Sequence, residues 1–180
     1  AKDFVKVAPN PQNSASPIED GSGTGEVPPP KPEIPADPTE VTKLGDIRKL
    51  QNETGVPTNQ NTKYLVEGVV TVDDQILDNS KSSFYIQDGT GGINVFGYAG
   101  SVQVKKGDKV RVLGQILFYN GLTELVSPTV EVIGTDGVPA PVEMEIADLA
   151  KYEKAEPLEG MLVKVKGNIS SLPTALPANV

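Results

Sequence analysis

The sequence predicts a small all-β domain, and three observations carry that prediction. Between residues 64 and 132, apolar and polar residues alternate in five short runs, the period-two signature of half-buried strands. The runs are punctuated by turn chemistry: Asp88-Gly89-Thr90-Gly91-Gly92, Gly107-Asp108 and Tyr119-Asn120-Gly121. The first and fourth runs also carry a central glycine, Gly68 and Gly114, where a closed sheet needs to bend or bulge.

The elements follow in order. A short helix is expected over 42–50, because Leu44, Ile47 and Leu50 give one apolar edge and Thr42 can cap its start. Strand one covers 64–73 and strand two 83–87. The acidic-glycine turn leads to strand three at 93–98. A short connection over 99–106 precedes strand four at 109–118, and an Asn-Gly hairpin joins it to strand five at 122–132. Ser127-Pro128 should split or bulge that last strand, since proline cannot donate to a ladder. A second short helix is expected within 142–152 and a strand over 157–167. Five strands with a short segment between the third and fourth fit a five-stranded Greek-key barrel of the OB-fold type, with short flanking helices and an extended Pro/Gly-rich N-terminal linker. An immunoglobulin-like sandwich would need about seven strands and usually a buried Trp or Cys pair; this chain has neither Trp nor Cys.

Outside the barrel the composition changes. Residues 1–16 hold one strand-like run, Asp3-Phe4-Val5-Lys6-Val7, too short to fold alone. It reads as a tail, as the last strand of a preceding β domain, or as a strand that adds to a neighbour's sheet. Residues 17–40 form a linker, flexible at Gly21-Ser22-Gly23 and stiff through the prolines from Pro28 to Pro35. The barrel with its leading helix occupies 41–134, and 135–157 form a connector with a short helix. Residues 158–180 read as the first strand of a truncated second OB-like module. Two phrases support that repeat: Val66-Glu67-Gly68-Val69 returns as Leu158-Glu159-Gly160-Met161, and each follows a short helix with an apolar-x-Asp-apolar centre.

Composition narrows the chemistry. With no Cys and no His, disulfides, thiol catalysis, catalytic triads and zinc sites of the usual kinds are excluded. Only carboxylate chemistry with Mg²⁺, Mn²⁺ or Ca²⁺ stays open, and no enzyme activity is expected from this stretch. The formal net charge of −8 opposes attraction to nucleic acid or anionic lipid. No apolar run is long enough to span a membrane, so no membrane insertion is expected. The N-terminus lacks the apolar core of a signal peptide, as expected for an internal piece of a longer or processed protein.

The candidate binding residues follow from strand alternation. With Ile86 and Val95 inward, Tyr85, Gln87, Asn94 and Phe96 face outward on strands two and three. Lys109 and Arg111 lie on the surface of strand four, and Tyr119 and Asn120 occupy the loop after it. Aromatic rings stack bases and cations meet phosphates, so this set suits single-stranded nucleic acid. The segment 64–134 nevertheless carries eight acids against five bases, which predicts weak, salt-sensitive binding. No cofactor is predicted outright; Asp73, Asp74 and Asp78 in the loop after strand one offer oxygen ligands of the kind Ca²⁺ takes, at a spacing that matches no EF-hand. Other expected partners are neighbouring domains of the same polypeptide, and further copies joined by strand addition.

The phrases Tyr64-Leu65-Val66-Glu67-Gly68-Val69-Val70, Phe84-Tyr85-Ile86-Gln87-Asp88-Gly89-Thr90-Gly91-Gly92 and Gly107-Asp108-Lys109-Val110-Arg111-Val112-Leu113-Gly114 also carry a resemblance. They resemble the OB-fold module of large secreted bacterial nucleases, of the endonuclease/exonuclease/phosphatase or staphylococcal-nuclease type, and of related cell-surface proteins. The resemblance covers about 42–167 and implies an extracellular or cell-surface accessory module that binds or positions nucleic acid beside a catalytic domain. It also implies a lamin-tail-type domain upstream, of which 1–16 would be the end. No catalytic motif of those nucleases occurs here. The alternative expectation is a structural cell-surface or filament subunit linked to its neighbours by β-strand addition.

Overall fold

A computed structural model describes residues 37–98 and 102–168. The strand-like run at 3–7, most of the linker and residues 169–180 lie outside the described residues. The order is α1 (Leu44–Arg48), β1 (Lys63–Val70), β2 (Lys81–Gln87), β3 (Gly92–Tyr98), β4 (Asp108–Tyr119) and β5 (Leu122–Thr135). Then come β6 (Val142–Glu143), α2 (Ile146–Leu149), α3 (Tyr152–Ala155), a 3-10 turn (Glu156–Leu158) and β7 (Val163–Lys164).

Strands β1 to β5 close into a barrel in the order β1-β2-β3-β5-β4, with β4 returning to β1. All contacts are antiparallel except β3 with β5, which run parallel through Asn94↔Glu124, Val95↔Leu125 and Phe96↔Val126. That order is the OB-fold. The interior is filled by one residue in two from every strand: Val66 and Val70, Phe84 and Ile86, Ile93 and Val95, Val110, Val112 and Ile116, and Leu125. One end is closed by Leu44 and Ile47 of α1. Val102 and Val104 of the β3–β4 connection also join the core, near where Asp74 meets β2.

Local chemistry sets the turns. Asn120 and Gly121 both take positive φ, 49° and 89°, as a two-residue hairpin of the primed type requires. The β4–β5 register shifts between Leu113 and Gln115, opposite Ser127-Pro128, so the proline sits at a bulge as expected. Gly68 makes no bulge: the β1–β4 register runs unbroken from Lys63 to Val69, and the missing side chain there admits the backbone of Gln87.

Three further expectations are corrected. Thr42 does not cap α1: the N-cap position falls on Lys43, which makes no side-chain cap, and Thr42 lies one residue earlier with its amide donating to the Leu65 carbonyl. The cap comes from the β2–β3 turn: the amide of Leu44 donates to Asp88 Oδ2 and that of Gly45 to Thr90 Oγ1, each at 3.0 Å. The helix expected within 142–152 breaks at Lys151 into α2 and α3 and is preceded by β6. The strand expected over 157–167 is confined to β7, which pairs in parallel with β6. Before it, Glu156–Leu158 is a 3-10 turn and Gly160 takes φ 78°. The backbone of this strap, 156–162, lies on the outside of β3, where a Cβ on Gly92 would fall 2.1 Å from the Gly160 carbonyl oxygen. Among the described residues no helix is long and apolar enough to cross a membrane.

Candidate nucleic-acid interface

The outer face of β2 and β3 divides into a covered half and an open half. Gln87 and Asn94 point outward, as alternation requires, yet both are buried. The strap covers Gln87, whose Oε1 accepts the Leu162 amide at 3.0 Å. Asn94 is held within the sheet, its Nδ2 donating to Ser83 Oγ and the Phe84 carbonyl at 3.3 and 3.4 Å. The strap is fastened by Arg48, which is 8% exposed and reaches Glu156 Oε1 at 2.7 Å and Glu159 Oε2 at 2.9 Å. The other oxygen of Glu159 accepts the Thr123 amide at 3.1 Å.

The open half is a groove of about 550 Å³ across β3, β5 and β4. Phe96 and Tyr98 of β3 line it on one side and Leu117 and Tyr119 of β4 on the other, with Val126, Pro128 and Lys81 completing it. Tyr98 is 81% exposed and Tyr119 60% exposed, so two aromatic rings stand at its rim. Lys81 Nζ lies 5.2 Å from the Tyr98 ring centroid, a cation–π distance. Tyr98, Lys81 and Leu117 are absent from the set predicted above. The hairpin register could have found the first two, since pairing Tyr85 with Asn94 also pairs Lys81 with Tyr98.

The predicted residues do not all meet. Tyr85 is half-buried beside the groove, and its phenol is pushed above its ordinary range, first by burial and then by Glu159 and Glu124. Phe96 and Tyr119 line the groove; Asn120 forms the adjoining turn. Lys109 and Arg111 sit at the other end of β4, opposite Val69 and Glu67 of β1 and Gly134 and Glu131 of β5. Both are engaged: Lys109 with Asp136 at 2.9 Å, Arg111 with Glu67 at 2.7 Å and Glu131 at 3.6 Å. Hydrogen bonds to those carboxylates hold both cations above their ordinary range. The structure therefore does not bring them to the aromatic groove.

Asp73, Asp74 and Asp78 do not converge either. Asp73 accepts the Lys106 amide, Asp74 accepts Ser82 Oγ and the Ser83 amide, and Asp78 accepts the amide and hydroxyl of Ser80. Asp73 and Asp74 tie the loop to the β3–β4 connection and to β2, Asp78 closes a turn within the loop, and among the described residues no group of three acids is placed to hold a metal ion.

Glu124 is the acid that stands apart. It lines the groove, is 7% exposed, and has no hydrogen-bond or ion-pair partner among the described residues. Burial pushes its carboxyl up from the ordinary value. The folded chain thus holds this proton more tightly than the unfolded chain, so its contribution to stability falls as pH rises from the unfolded value through the folded one. Glu124→Gln is expected to stabilise the fold by about 0.5 kcal/mol at neutral pH, from relief of the partial desolvation of a carboxylate whose oxygens still reach the groove. Urea melts of variant and parent should differ by that amount near pH 7 and converge near about pH 4. Equal midpoints at both values would refute the assignment.

No protein-family model matches the chain. It is 32% identical over 120 residues to Endonuclease YhcR of Bacillus subtilis (strain 168), a match covering 64% of this chain and 10% of that protein. The chain thus spans about a tenth of this relative's length. Among solved structures, it is similar to asparaginyl-tRNA synthetase from Pyrococcus horikoshii, at 17% identity over 55% of this chain and 23% of that one, with a TM-score of 0.43. It is also similar to the second OB-fold domain of replication protein A from Methanococcus maripaludis, at 19% identity over 41% of this chain and 86% of that one, with a TM-score of 0.35. A replication protein A heterotrimer bound to ssDNA matches at 19% identity over 44% of this chain and 62% of that chain, with a TM-score of 0.36. The OB-fold assignment rests on the strand order of the barrel.

Proposed function

We propose that this chain is a non-catalytic OB-fold accessory module of an extracellular bacterial protein, one that binds or positions single-stranded nucleic acid for a secreted nuclease. The observation that carries the reading is the groove between β3 and β4, open to solvent and rimmed by Tyr98 and Tyr119 over Phe96. OB-folds bind oligonucleotides on the faces of strands two and three and in the loops after strands one and four, and aromatic rings there stack bases regardless of sequence. The similarity to an endonuclease supports the same reading. On this reading catalysis belongs to another region of the parent protein. A lamin-tail-type domain upstream and a second barrel downstream belong to the same proposal. The alternative, a filament subunit joined by strand addition, rests on the run at 3–7, outside the described residues, and on the strand expected over 157–167, of which β7 pairs with β6.

The groove has one cation at its rim, Lys81, and an acid within it. Binding should therefore be modest, with a salt dependence corresponding to about one or two phosphates. Fluorescence anisotropy with labelled oligothymidylate at low salt is the test. Tyr119→Ala is expected to weaken binding by about 1–3 kcal/mol, the value of one stacked base. No binding of any single-stranded oligonucleotide at low salt, or binding indifferent to both Tyr119→Ala and Phe96→Ala, would remove the proposal.

A further inference from the structure

We infer that Glu124 makes the groove selective for a guanine base. The inference rests on the nucleic-acid reading above and names what that reading leaves open, the base preferred.

Three observations meet at this residue. Glu124 sits in the middle of the face: on β5 it is paired in parallel with Asn94 of β3 and, on its other side, with Leu117 of β4. It lines the same groove as Phe96, Tyr98 and Tyr119 while being almost wholly buried. Its carboxylate meets no donor among the described residues. Next to it, the side-chain carbonyl oxygen of Asn94 is buried without a partner, while the carboxylate oxygens of Glu124 reach the groove. A carboxylate that meets no protein donor and opens into a groove is held by water alone, so it is available to a donor that a ligand brings.

The chemistry of the acceptor selects the ligand. An ionised carboxylate only accepts, through two oxygens side by side. Single-stranded bases are held by stacking on aromatic rings and read along their Watson–Crick edges. Guanine alone presents two adjacent donors on that edge, the ring N1–H and the 2-amino group. Cytosine and adenine each offer one amino donor next to a ring acceptor that would face the second oxygen and repel it. Thymine and uracil offer one N–H between two carbonyls. A guanine stacked between the aromatic walls can therefore satisfy both oxygens of Glu124, and the other bases cannot.

The negative charge of the groove points the same way. A carboxylate repels the phosphate backbone, so it weakens binding of every strand that does not pair with it. Glu124 acts as a specificity element, favouring one base while rejecting the rest.

The test is anisotropy on a labelled oligothymidylate whose central base is thymine, guanine, adenine, cytosine or hypoxanthine. The guanine probe is expected to bind about tenfold more tightly than the thymine probe, within the discrimination of a bidentate base contact. Hypoxanthine, which lacks the 2-amino group, should lose most of that gain. Glu124→Gln should bring the guanine-to-thymine ratio close to unity while the thymine probe binds as well or better. Equal affinity for all five probes in the parent chain, or a guanine preference unchanged in Glu124→Gln, overturns the inference and leaves the binding reading in place. Failure of every probe to bind removes both. Glu124-dependent binding of an arginine-rich peptide with no binding of any oligonucleotide would make the groove a protein-docking site, and the inference would likewise fall. The hypoxanthine comparison uses the unaltered protein and so stands independently of how the variant folds.

Discussion

Arg48→Ala is expected to destabilise the protein by about 3 kcal/mol and to release the strap 156–162 from the barrel. Arg48 is nearly buried at the end of α1, and its guanidinium is shared by Glu156 and Glu159. Removing it leaves two carboxylates facing each other with no cation, and breaking a buried pair typically costs about 3–5 kcal/mol. The lower end applies because both carboxylates keep some solvent. Lysine should rescue only in part: one guanidinium nitrogen, Nη2, meets both carboxylates, and an ammonium in its place is more strongly hydrated and loses more on burial. Two amides report the event directly. Thr123 donates to Glu159 and Leu162 donates to Gln87, both across the strap–barrel contact. Their hydrogen exchange should accelerate in Arg48→Ala, while amides of the β1–β4 ladder keep their protection relative to the new global stability. Unchanged exchange at Thr123 and Leu162 would show that the strap is held by other contacts.

The same residues show where sequence reading reaches and where it stops. The five strands, the Asn120-Gly121 hairpin and the bulge at Pro128 were legible because period-two alternation and turn chemistry are local properties. The fate of the Asp88-Gly89-Thr90-Gly91-Gly92 phrase was legible only in part. It is a turn, but Asp88 and Thr90 also cap a helix more than forty residues away, and no local pattern encodes that pairing. Lys109 and Arg111 alternate correctly to the surface. Their neutralisation by Glu67, Glu131 and Asp136 depends on which strands become neighbours when the barrel closes. The Glu-Gly phrase repeats in sequence, yet its two copies differ in structure. Glu67 lies in a strand against Arg111, and Glu159 lies in a turn against Arg48. In both, a glutamate meets an arginine and the following glycine admits another backbone, Gln87 for Gly68 and Gly92 for Gly160. The pattern thus encodes a close approach, whereas the strand around it depends on what lies alongside.

The hairpin β2–β3 places two phenylalanines with opposite duties on adjacent rungs, which allows the alternation itself to be tested. Phe84 points inward, is fully buried, and pairs across the hairpin with Val95. It is the largest fully buried side chain in an interior otherwise made of Val, Ile and Leu, so its neighbours are too short to fill the space it leaves. Phe84→Ala is expected to cost about 3–5 kcal/mol, from lost transfer energy plus an unfilled cavity. For a domain of this size that corresponds to a fall in Tm of about 10–20 °C, a large part of a typical total stability of about 5–15 kcal/mol. Phe96 points outward into the groove, opposite Ser83. Phe96→Ala should cost about 1 kcal/mol or less in stability and show its main effect in oligonucleotide binding. Thermal melts and anisotropy on the two variants should therefore cross over, Phe84→Ala losing stability and Phe96→Ala losing affinity. A one-residue slip in β3 would move Phe96 into the core, because side chains alternate between faces. Comparable losses of stability in both variants would thus indicate that slip, and would take the aromatic groove away with it.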